Sequence, residues 1–132
     1  MTKLELYLAL SALWLAIAWL PYILDRVLVR GLLGALANFD PQATPHTPWA
    51  QRAPRAHTVA VEAFAAFAPL ALLASLKIPE DPLPGTAAMV FFFAIVAHYV
   101  IYCLGIIVAR TLAFVGAVGA TLAIALRLLG VI

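Results

Sequence analysis

The chain has 132 residues, of which 66% are hydrophobic and 11% charged, with a mean hydropathy of +1.07. Eight Lys/Arg and six Asp/Glu are too few to clothe a water-soluble domain of this length, so lipid must cover much of its surface. A net charge of +2 from scattered basic residues also excludes a nucleic-acid interface.

A membrane-crossing helix needs about 20 mostly apolar residues, and four stretches qualify. The first runs from Leu4 to Val29, with Pro21 as its expected kink and Trp14, Trp19 and Tyr22 at its second half. It is longer than a signal-peptide core of roughly 7 to 15 residues and is followed by "DRVLVR" instead of small residues, so it is expected to be retained.

A linker rich in Gly and Pro follows, "GLLGALANFDPQATPHTPWAQRAP", with turn signals at Asp40-Pro41 and Pro48. The second span is expected over 58–76 and contains Glu62 and Pro69. The polar turn "KIPEDPLPG" leads to a third span over 86–109, and a fourth over 111–131 follows so closely that the two must form a tight hairpin at Arg110. In the fourth, Ala109, Ala113 and Ala117, and likewise Gly116 and Ala120, recur at four-residue spacing, which lets helix backbones approach closely. The architecture expected over 1–132 is all-α: a four-transmembrane-helix bundle, integral to the membrane and multi-pass.

Loops one and three hold Arg26, Arg30, Arg52, Arg55 and Arg110, and the opposite side Lys3, Lys77 and Arg127. The excess places loops one and three in the cytoplasm. Whichever way the chain inserts, four spans put the start of the second helix and the hairpin between the third and fourth on one membrane face. Arg55, His57 and Glu62 therefore lie within reach of Tyr99, Tyr102 and Arg110.

Glu62 lies inside an apolar helix, where an acid costs on the order of 2.5 to 3.5 kcal/mol at mid-membrane and less near the interface. It needs a partner: His57 or Arg55 from its own helix, Arg110 from the hairpin, or a ligand. Arg110 taken alone reads as an interfacial anchor; the grouping of His98, Tyr99 and Tyr102 on the helix before it favours a binding site. His46, His57 and His98 show no metal-ligand spacing, Ser11 and Ser75 have no neighbouring acid and base, and Cys103 has no second cysteine to pair with.

"RAPRAHTVAVEAFAAFAPLALLA" and, about 30 residues on, "AHYVIYCLGIIVARTLAFVGAVG" resemble the membrane-associated proteins in eicosanoid and glutathione metabolism, the MAPEG family, in its short bacterial branch. "WLPYILDRVLV" and "PWAQRAPRAH" extend the resemblance over nearly the whole chain. The resemblance implies a homotrimer in the bacterial inner membrane, with glutathione as co-substrate bound between neighbouring subunits. The implied activity is a glutathione transferase or peroxidase acting on small lipophilic electrophiles or lipid hydroperoxides; the alternative is a non-catalytic lipid-binding or accessory protein of the same fold.

By that pattern Arg110 is the catalytic residue that stabilises the thiolate. Arg55 holds a carboxylate and Glu62 the ammonium end. His57, Tyr99 and Tyr102 line the pocket, with Arg26 or Arg30 as a second cation. Arginines suit carboxylates through paired, charge-assisted hydrogen bonds. Two positions depart from the family's pattern: Val59 replaces an Asn in the second span, and Ile95 an Arg three residues before His98. Against a channel stands the single acid buried in the spans.

Overall fold

The computed structural model describes residues 1–132 and consists of five helices: α1 (Lys3–Ile17), α2 (Leu20–Leu36), α3 (Pro48–Lys77), α4 (Pro82–Leu104) and α5 (Ile107–Leu128). With α1 and α2 counted together, four of these units are long and apolar enough to cross a membrane. The protein is an all-α, multi-pass integral membrane protein.

The break between α1 and α2 falls at Ala18–Trp19, just before Pro21, whose missing N–H cannot close the turn. Carbonyls released there are taken up by side chains. His57 Nε2 donates to the Leu15 carbonyl at 3.0 Å, Trp19 Nε1 to Ala16 at 2.7 Å, and the Tyr99 hydroxyl to Ala18 at 2.8 Å. In apolar surroundings an unsatisfied carbonyl is costly, so these three contacts fix the kink. They also clamp α1 to both α3 and α4.

The core lies among α3, α4 and α5. Phe67 and Phe91 are fully buried and stack at 3.8 Å with their planes 3° apart. Ala117, Ala120 and Ile124 of α5 are buried in the same cluster, and a Cβ on Gly116 would sit 3.7 Å from the Ala94 Cβ. The small residues of the last span thus serve packing within the bundle.

Two expected boundaries move. The hairpin turns at Gly105–Ile106, so Arg110 lies in the first turn of α5 and not in the loop. Gly105 adopts a left-handed conformation (φ 78°), which glycine takes without steric cost; the charge of Arg110 marked a groove and not a turn. Arg52 seals this end, donating through Nε and Nη2 to the Cys103 carbonyl at 3.0 and 2.7 Å. At the other boundary, α3 begins at Pro48 and runs through Pro54 and Pro69, ahead of the span expected from Thr58. Pro48 in the first helical turn needs no N–H partner. Arg52, Arg55 and His57 consequently stand on a rigid helix.

The remaining loop, residues 37–47, is tied to α2 by a buried acid, Asp25, so Glu62 is not the single acid expected within the spans. Asp25 accepts hydrogen bonds from the Thr47 hydroxyl at 2.5 Å and the Thr47 N–H at 3.2 Å, and contacts His46 Nδ1 at 3.3 Å. At the opposite end, Asp81 caps α4 through the Leu83 N–H at 2.9 Å and forms an ion pair with Arg127 of α5.

Candidate functional site

On α3, Arg55, Val59 and Glu62 follow one another at spacings of four and three and so share one helix face. That face borders a groove of about 310 Å³, completed by His98 of α4 and by Arg110, Thr111 and Phe114 of α5. The residues come from three helices whose ends meet on the side of the Gly105 turn. A larger cleft, about 420 Å³, lies by the start of α4 between Pro82, Val90 and Ala123; it contains no ionisable group, and Thr86 is its one polar side chain.

Arg110 is positioned by an aromatic face. Its guanidinium carbon lies 4.4 Å from the centre of the Tyr102 ring, within cation–π range. No hydrogen bond from the Arg110 guanidinium to another side chain or carbonyl accompanies this contact, so its N–H donors are available to an anion. Tyr102 in turn lies 5.5 Å from the His98 ring, which is 6.1 Å from Phe114. His98 is only 5% exposed, borders the groove and forms no hydrogen bond within the chain.

The charges of the groove are unpaired. The ion pairs in the chain are His46–Asp25 and Arg127–Asp81, and neither includes Arg55, Glu62 or Arg110. Of the partners expected for Glu62, none of His57, Arg55 and Arg110 pairs with it within the chain, which leaves a ligand. His57 instead faces α1 and α2, where its Nε2 donates to Leu15 and its Nδ1 pairs with the Tyr22 hydroxyl at 2.9 Å. Since a carbonyl can only accept, Nε2 carries the proton, and in neutral His57 the Tyr22 hydroxyl donates to Nδ1.

The other expected site residues divide in the same way. Tyr102 meets Arg110, whereas Tyr99, 5% exposed, turns inward to Ala18 and packs edge-on against Trp14 at 5.3 Å. The contacts of Tyr99 with Ala18 and Trp14 commit it to the α1 side of α4, while His98 lines the groove with Tyr102 packed beside it. Arg26 and Arg30 are engaged by the first loop, donating to the Ala37 and Thr44 carbonyls at 3.1 and 2.6 Å. Among the departures, Val59 lines the groove, while Ile95 is buried in the core.

Sequence reasoning placed His98 near Arg110 without assigning it to the site, and passed over Thr111 and Phe114. The four-residue spacing from His98 to Tyr102 was the available signal. Thr111 stood next to Arg110, and its hydroxyl donates to the Ile107 carbonyl at 3.0 Å, which leaves the oxygen's lone pairs available.

The MAPEG family model matches residues 4–130, nearly the full chain and every element that builds the groove. The chain belongs to the MAPEG family. A search of curated proteins finds no match to it. MAPEG membership, as a membrane family associated in general with glutathione-dependent transferases and peroxidases, agrees with the four apolar units.

Proposed function

We propose that the protein is a membrane-bound, glutathione-dependent transferase or peroxidase for small lipophilic electrophiles or lipid hydroperoxides. One observation carries this reading: Arg55, Glu62 and Arg110 converge on one groove and none has an ion-pair partner within the chain. An intramembrane acid without an internal partner is a functional site by default. This set of charges fits glutathione, which has two carboxylates, one ammonium and one thiol.

Glutathione would supply the nucleophilic sulfur. Arg55 would hold a carboxylate through paired N–H donors, and Glu62 would accept from the ammonium. Arg110, braced by Tyr102, would favour the thiolate by placing a fixed positive charge in a water-poor site. His98, buried beside them without an internal partner, would complete the polar lining.

The groove opens on the outer face of the bundle, where a neighbouring subunit would close it in a homotrimer. The lipophilic substrate would then enter from the bilayer. The excess of basic residues in loops one and three supports a groove on the cytoplasmic face, and the resemblance to short bacterial members supports a bacterial inner membrane as its location.

Val59 favours a second reading, a non-catalytic lipid-binding or accessory protein, because its side chain brings no polar contact to the groove wall. Turnover in proteoliposomes separates the two. Glutathione is supplied with a lipophilic aryl halide or a fatty-acid hydroperoxide, and the enzyme reading expects turnover that Arg110→Ala lowers on the order of 10²-fold in kcat/KM. Absence of turnover with both substrates, in folded protein, would leave the accessory role.

A further inference from the structure

Together α1 and α2 form a unit of 34 residues, whose run from Lys3 to the break at Gly31 measures about 42 Å at 1.5 Å per residue against a hydrocarbon core of about 30 Å. Its N-terminal end is level with the start of α4, where Lys3 Nζ approaches the Thr86 hydroxyl at 3.5 Å. The surplus therefore emerges on the other face, beside the groove. There α2 breaks at Gly31 (φ 73°, ψ 169°).

The break turns the chain back on itself. In an unbroken helix Arg26 and Ala37 would stand about 16 Å apart along the axis, farther than an arginine side chain reaches. Arg26 Nη2 nevertheless donates to the Ala37 carbonyl at 3.1 Å, and Arg30 Nε to Thr44 at 2.6 Å. The segment past Gly31 presents one side to Arg30, close enough that a Cβ on Gly34 would come within 3.0 Å of the Arg30 Cβ.

Its other side is apolar and bare. Leu33 is 84% exposed, Leu36 74% and Phe39 90%, and Leu32 beside them is exposed too, as are Leu24 and Leu28 on the helix before the break. We propose that residues 31–39 form an interfacial arm lying along the membrane surface on the groove side. Its apolar side chains would enter the boundary between headgroups and acyl chains to a depth of about 5–10 Å. The occupant is lipid: the arm follows directly on a spanning helix whose Leu24 and Leu28 are exposed, leaves the bilayer where that helix ends, and is bent back by two arginine tethers. The inference stands independently of the glutathione reading.

Site-directed spin labelling of the full chain in liposomes tests it, in a Cys103→Ala background. Leu33→Cys and Leu36→Cys are labelled, with Gln42→Cys in the following loop as the reference. The arm predicts labels at 33 and 36 relaxed by oxygen and shielded from a water-soluble nickel chelate, with an oxygen-to-nickel ratio several-fold above that at 42. Nickel-accessible labels at 33 and 36 would place the arm in water. Labels immobilised and shielded from both reagents would mean that a second copy of the chain covers it. Either result overturns the proposal.

Discussion

The guanidinium carbon of Arg110 lies over the ring of Tyr102, 4.4 Å from its centre. The contact joins the first turn of α5 to the last turns of α4 and presents a fixed cation to the groove. The ring, not the hydroxyl, makes it. Tyr102→Phe should therefore leave glutathione affinity within about twofold, while Tyr102→Leu should weaken it by about 2- to 30-fold, as a cation–π contact of about 0.5–2 kcal/mol implies. Titration of both variants with glutathione checks this.

Tyr99 stands one position from His98 and has a different task. Its hydroxyl meets the Ala18 carbonyl at the α1–α2 break, so Tyr99→Phe should lower stability by about 1 kcal/mol and leave ligand affinity unchanged. His57→Phe, which opens the Leu15 carbonyl and removes the Tyr22 contact, should act in the same direction and by more. Thermal unfolding in detergent, set beside glutathione titration, separates this structural role from a binding one.

Gly105 ends α4 with φ 78° and faces Arg52, whose guanidinium carbon would lie 3.3 Å from a Cβ placed there. Gly105→Ala combines a strained backbone with pressure on the arginine that seals the helix. A loss of about 1 kcal/mol or more is expected, read as a lowered Tm.

Much of this architecture was legible from residues alone. Four apolar stretches imply four spans, Pro21 marks the kink, and the Ala/Gly rows of the last helix mark close packing. Arg55, Glu62 and Arg110 were expected on one face, and the groove joins them. Rotation about the helix axis was less accessible: His57 and Tyr99 are polar residues at the right depth, but they face the released carbonyls of α1. Sequence spacing locates a residue along a helix, while the kink decided which polar residues were already committed. Arg26 and Arg30 were likewise taken by loop carbonyls, a consequence of the bend at Gly31 that apolar periodicity could not reveal.

Asp81, in the turn between α3 and α4, is held below the usual carboxylate range. The hydrogen bond from Arg127 contributes most, followed by the Leu83 N–H, and the positive charge of Arg127 adds to both. A carboxyl depressed by folding stabilises the fold above its unfolded value, near 3.9, and that contribution disappears as pH falls through the lower folded value. Lowering the pH from 7 to about 3 should therefore cost wild-type Tm more than that of Asp81→Asn, which lacks the charge but retains a capping oxygen. Parallel slopes for the two proteins would show that the pair contributes nothing.

The account rests on the groove binding a zwitterionic thiol through its unpaired charges. Calorimetric titration of the detergent-solubilised protein with glutathione tests that most directly, alongside Arg110→Ala and Glu62→Gln. Binding by the wild type that each substitution weakens by about tenfold or more, the loss expected for a charge-assisted contact, is the predicted result. No binding at millimolar glutathione by protein shown to be folded, or equal binding by all three proteins, would contradict it.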